Sequence, residues 1–108
     1  TNDLTQMTYG YSRDDAGKFL NDYYKKNILS FNPFEKLDQE GVGLLIKEAI
    51  KRGKYINKNI ELGICGEQGA DEDSIRFLMK LGIDYVSCSP YRIPSAKLAV
   101  AKVSLEIK

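Results

Sequence analysis

Three short polar clusters hold the side chains of this sequence that could do chemistry: Thr1-Asn2-Asp3, Cys65-Gly66-Glu67 and Ser87-Cys88-Ser89. The second lies in GICGEQGADE, residues 63–72, which sets a thiol between two glycines and follows it with a carboxylate. A thiol in such a turn is either an acid/base or nucleophilic group exposed at a strand end, or a small filler of the core. Glycine punctuation on both sides is unusual for a filler, and both readings stand at this level. Asp3 beside Asn2 offers a hard oxygen ligand and an amide, a set that suits Mg²⁺ bound partly through substrate oxygens. A turn or helix cap made by the Asn-Asp pair is the plainer alternative. Glu67 can hold the thiol or its loop in place, or be merely solvated, and Cys88, beside Val86 in an apolar run, reads as packing.

Other chemistries are excluded by composition. The chain has no histidine, which removes zinc sites of the usual Cys/His type and every Ser-His-Asp or Cys-His arrangement. The glycines form neither GxGxxG nor a P-loop. Sixteen basic residues against fifteen acidic ones leave a net charge of +1, so no field favours nucleic acid or an acidic membrane surface. Apolar runs such as 42–46 are far too short to span a bilayer. With two cysteines and no basic-then-apolar leader, the chain reads as cytoplasmic with both thiols reduced.

The elements that must position these clusters follow from periodicity and punctuation. Residues 1–10 are polar, lack an initiator methionine and read as the outgoing loop of an element that has been cut away. Ser12 opens a capping-box pattern with Asp15, and Ala16, Phe19, Leu20 and Tyr23 then predict a helix near 13–26. After the break at Asn32-Pro33, Asp38 caps a second helix with apolar positions Val42, Leu45, Ile46, Ala49 and Ile50, closed by Lys51, Arg52 and Gly53. Residues 60–65 form a short buried strand. Asp71, Glu72 and Asp73 open a helix carrying Ile75, Leu78 and Met79 that ends at Gly82. Residues 84–89 form a second strand stopped by Pro90. Pro94 suits the first turn of a last helix, with Leu98, Ala101, Val103 and Leu105 as its apolar share.

Strands alternating with helices at this spacing mean an α/β fold with a parallel sheet, either doubly wound or a barrel. Two strands cannot cover both faces of such a sheet against four helices, so residues 1–108 read as one piece of a larger domain. In parallel α/β domains functional groups gather beyond the carboxyl ends of the strands, and all three polar clusters fall there.

TNDLTQMTYGYSRDDAGKFL, GICGEQGAD and YVSCSPYRIP, in this order and spacing, resemble the C-terminal end of the pyruvate, phosphate dikinase family, and the resemblance covers essentially the whole chain. Enzyme I of the sugar phosphotransferase system and phosphoenolpyruvate synthase have similar TND and CG segments, but SRDDAGKFL and SCSPYRIP look like the dikinase. The resemblance implies the C-terminal portion of a (β/α)8 TIM barrel: strands seven and eight with helices six to eight, incomplete on its own. It implies Asp3 as a Mg²⁺ ligand, Thr1 and Asn2 as residues that hold pyruvate or phosphoenolpyruvate, and Cys65 as the acid that protonates the enolate carbon. Gln68 stands where many members have histidine and Ala70 where glycine is usual, departures that bear on loop shape.

The reaction so implied interconverts pyruvate, ATP and phosphate with phosphoenolpyruvate, AMP and diphosphate, using a phosphohistidine domain of the same enzyme, in a homodimer. Thiols ordinarily titrate near pH ~8.5, so either protonation state is accessible at working pH. The remaining Mg²⁺, carboxylate and phosphate ligands are expected outside this chain, which by itself is expected to be inactive. The reading from another class is a noncatalytic fragment serving dimerisation or binding.

Overall fold

A computed structural model of the chain describes residues 2–106. Its first element corrects the sequence reading: residues 2–9 are not a loop but helix α1 (Asn2–Tyr9). The segment lacks a clear apolar stripe, and tertiary contact supplies what periodicity does not. α1 lies against the long helix α4 (Val42–Ile56), with Thr5 buried and Leu4 and Tyr9 packed on the main core. Gly10 closes it at φ 72, its N–H donating to the Gln6 carbonyl at 2.8 Å.

The single helix expected near 13–26 is two short ones, α2 (Arg13–Ala16) and α3 (Leu20–Lys25). Ser12 does cap α2, its Oγ accepting from the Asp14 N–H at 3.2 Å. The chain then breaks at Gly17–Phe19, where Phe19 leaves the helical region to pack edge-on against Tyr11 at a ring separation of 5.0 Å. Ala16, Leu20 and Phe34 form the small core beneath.

Asp38 caps α4 as expected, its carboxylate accepting from the N–H groups of Glu40, Gly41 and Val42 at 3.2, 3.1 and 3.3 Å. The helix runs through Gly53 instead of ending there, because the hydrogen of that glycine faces Leu62, which leaves a close helix-to-chain approach intact. Of the expected stripe, Val42, Ile46 and Ile50 are buried, while Leu45 and Ala49 are exposed. With Leu37, Ile64 and Leu78 the three buried residues make the main core.

β1 (Gly63–Cys65) and β2 (Tyr85–Ser87) pair in parallel, with Gly63 opposite Tyr85 and Cys65 opposite Ser87. The parallel pairing bears out the α/β expectation, although both strands are shorter than predicted. Gly63 is required here, since a Cβ on it would lie 2.1 Å from the Tyr85 ring. Asp84 extends the pairing by one position: its N–H donates to the Leu62 carbonyl at 2.9 Å and its carboxylate accepts from the Leu62 N–H at 2.8 Å.

Helix α5 (Glu72–Leu81) joins the strands and has the predicted ends. Asp71 accepts from the Ser74 N–H at 2.8 Å, and Gly82, at φ 79, completes a Schellman closure in which the Gly82 and Ile83 N–H groups donate to the Met79 and Leu78 carbonyls. Helix α6 (Ile93–Glu106) packs on α5. Its buried row is Ala96, Ala99 and Val103. Of the four apolar residues expected inward only Val103 is buried, and Leu98, Ala101 and Leu105 are exposed. Small residues on the inner row let the two helix backbones approach, which pattern alone did not reveal. Among the described residues no helix is long and apolar enough to cross a membrane.

Candidate functional site

Cys65 ends β1 with its side chain exposed, and the chain then turns through Gly66 at φ 118 and ψ 174. Only glycine tolerates this backbone without strain, and space forbids a side chain as well. A Cβ on Gly66 would lie 2.8 Å from Gln68 Oε1 and 3.4 Å from the carboxamide of Asn2. The tight turn therefore brings the thiol and the start of α1 together.

Asn2, Asp3, Arg13, Asp14, Cys65 and Gly66 line one open cleft of about 340 Å³. Asp3 sits in the first turn of α1, where the helix N-terminus favours a carboxylate, and is exposed to the cleft. Gln6 connects the two sides, its Oε1 accepting from the Arg13 N–H at 2.8 Å and its Nε2 lying 3.4 Å from Asp3 Oδ1. Three of the four residues singled out from sequence, Asn2, Asp3 and Cys65, thus meet in one place. The fourth, Thr1, lies outside the described residues.

Among the described residues no group of three or more Cys, Asp and Glu side chains could enclose a metal ion. Asp3 nevertheless fits the smaller demand of Mg²⁺, which is commonly held by one or two carboxylates with substrate oxygens and water completing its shell. The hard carboxylate faces a polar, open cleft with room for such a substrate.

Glu67 is neither solvated nor turned to the thiol. Its Oε1 accepts from Ser89 Oγ at 2.7 Å and its Oε2 from Arg92 Nη1 at 2.8 Å. The Ser89 bond first, and Arg92 after it, hold the carboxyl below the usual carboxylate range. These bonds tie the turn after β1 to the turn after β2, so Ser89 supports the site from behind. Cys88 is half-buried against Ala70, Ile75, Ala96 and Ala99, in keeping with its reading as packing.

Two residues of this region escaped the sequence reading. Arg13 was taken as part of a capping pattern. A cation at the start of a helix opposes the helix dipole, and that mismatch was the available signal of another role. Gln68 was taken as a loop residue, yet it is fully buried and donates from Nε2 to Asn2 Oδ1 at 3.0 Å and to the Pro33 carbonyl at 2.9 Å.

Residues 1–105 match the family model described as PEP-utilising enzyme, PEP-binding domain. The chain belongs to this family. Over 108 residues, its full length, it is 55% identical to pyruvate, phosphate dikinase of Clostridium symbiosum, of which it covers 12%. It is 57% identical over 105 residues, 97% of the chain, to pyruvate, phosphate dikinase 2 of Oryza sativa subsp. japonica, again covering 12% of that protein. Against the chloroplastic pyruvate, phosphate dikinase 1 of Arabidopsis thaliana the identity is 58% over 103 residues, 95% of the chain and 11% of the relative. The chain therefore spans only about an eighth of the length of the curated relatives it matches.

Proposed function

We propose that this chain is the pyruvate- and phosphoenolpyruvate-binding part of a cytoplasmic pyruvate, phosphate dikinase, with β1 and β2 as strands seven and eight of a (β/α)8 barrel and α4, α5 and α6 as helices six to eight. Exposed apolar side chains on the strand and outer helix, Tyr85 and Leu98 among them, fit a sheet and helix layer continued by further chain. The observation that carries the reading is that Asp3 and Cys65, brought together from distant parts of the sequence, line a single cleft.

In this reading Cys65 transfers a proton and the residues around it hold a small anion. In the direction of pyruvate formation, the phosphoryl group leaves the enol oxygen of phosphoenolpyruvate for a histidine on a separate domain. The Cys65 S–H bond breaks, its proton forming the new C–H bond at the methylene carbon and leaving a thiolate. The reverse direction returns the methyl proton to sulfur. Gly66 leaves the path to the planar substrate unobstructed. Arg13 supplies a cation for the carboxylate or phosphate, adding one anion-binding group inside the chain where none was expected. Asp3, and with it Thr1 and Asn2, would hold the substrate together with Mg²⁺, which when bound supplies a Lewis acid beside the enolate oxygen. The phosphohistidine, the nucleotide site and the second subunit belong to other parts of the enzyme, and the isolated chain is expected to turn over nothing.

Cys65→Ser in the full-length enzyme tests this. The substitution keeps the shape and removes a usable acid, so pyruvate turnover is expected to vanish while nucleotide-dependent phosphorylation of the histidine continues. Retained pyruvate turnover, or loss of both half-reactions in a folded variant, overturns the assignment.

A further inference from the structure

Gln68 is fully buried one turn beyond an exposed cleft, a place where an uncharged amide is unfavourable unless its polar atoms are bonded. Its two donated bonds have different acceptors. The Pro33 carbonyl can only accept, so the nitrogen end of the Gln68 amide must face it. The second hydrogen on that nitrogen points at Asn2, which must then offer its oxygen, at 3.0 Å. The orientation of the Asn2 carboxamide is thereby decided, with Oδ1 engaged and Nδ2 lying 3.4 Å from where a Gly66 Cβ would be, beside Cys65. Gln68 Oε1 is buried with no hydrogen-bond partner, a penalty consistent with an amide retained for what it donates.

We infer that Gln68 is a positioning residue, which locks the Asn2 carboxamide so that its N–H₂ group, and not its oxygen, is available to an anionic substrate oxygen in the cleft. Pro33 anchors the lock to the segment before α4. The inference rests on the proposed reading of the cleft and deepens it, since that reading does not say what orients Asn2.

The test uses the full-length enzyme and measures KM for phosphoenolpyruvate, kcat, and nucleotide-dependent histidine phosphorylation in the variants Asn2→Ala, Gln68→Met, Gln68→His and the Asn2→Ala/Gln68→Met double. Gln68→Met keeps the volume and removes both donors. Loss of one well-placed hydrogen bond predicts a KM increase of roughly five- to tenfold, with histidine phosphorylation unaffected. The double variant should be no worse than Asn2→Ala alone, because both changes remove one interaction. Gln68→His restores one N–H donor and should recover most of the loss. An unchanged KM in Gln68→Met, or fully additive effects in the double variant, overturns the inference while Asn2→Ala still supports the cleft. An unchanged KM in Asn2→Ala defeats the cleft reading and the inference together. Should Gln68→Met fail to fold, Gln68→His decides: a KM as high as that of Asn2→Ala, in protein that still phosphorylates its histidine, rejects the lock.

Discussion

Arg92 Nη1 donates to Glu67 Oε2 at 2.8 Å, and this bond joins the turn that follows Cys65 to the turn that leads into α6. The other carboxylate oxygen is taken by Ser89. The thiol is thus carried on a turn braced from the neighbouring strand's end.

Glu67→Gln should loosen that brace without unfolding the protein. The Glu67 carboxyl is held below its ordinary value of 4.5, by the Ser89 bond first and then by Arg92. A depressed carboxyl contributes stability that is complete above its unfolded value and is lost as pH falls through the lower folded one. Wild-type protein should therefore lose melting temperature from about pH 4.5 downward more steeply than Glu67→Gln. Parallel acid limbs for the two proteins, followed by thermal melts between pH 3 and 6, would show that the brace contributes nothing.

Asp3→Asn removes the charge a hard cation needs and preserves shape at an exposed position, so the fold should be kept. In the full-length enzyme the Mg²⁺ concentration needed for half-maximal pyruvate turnover should rise at least about tenfold, as for other losses around a metal ligand. Titration of the phosphoenolpyruvate half-reaction with Mg²⁺ checks this; an unchanged midpoint would leave Asp3 as a helix-end carboxylate only.

Tyr9 links α1 to the cap of α4. Burial, followed by the charge of Asp38 and a hydrogen bond to it, pushes the Tyr9 hydroxyl up to about 12. Since the folded value exceeds the unfolded one near 10, the stabilisation is fully present below pH 10 and is lost as pH rises towards 12. Tyr9→Phe should lower stability at pH 8 through the missing bond to Asp38, and should flatten the alkaline limb in part. The flattening is partial because burial also raises Tyr11 and Tyr24. Denaturant midpoints from pH 8 to 12 measure both effects, and an alkaline limb identical in the two proteins would contradict the link.

What the sequence by itself determined is whatever a few neighbouring residues decide. Asp71 and Gly82 mark the ends of α5 because a cap and a left-handed closure are bonds made within one turn of chain, and Asp38 marks the start of α4 for the same reason. The alternation of short apolar runs with helices was enough for the parallel pairing of β1 and β2. The glycines around Cys65 placed a thiol at a strand end, although its assigned role came from family resemblance and not from spacing. Tertiary structure decided the rest. α1 is helical because Leu4 and Tyr9 pack on a core made by α4 and β1, which residues 1–10 do not display in their own pattern. The inner row of α6 is set by how closely α5 approaches it, so Ala96 and Ala99 are buried and the larger Leu98 and Leu105 are not. Arg13 entered the cleft, and Gln68 reached Asn2 and Pro33, only when segments far apart in sequence were packed together. A cleft is a relation between surfaces of separate elements, and hydrogen bonds across it depend on distances that local propensity does not encode.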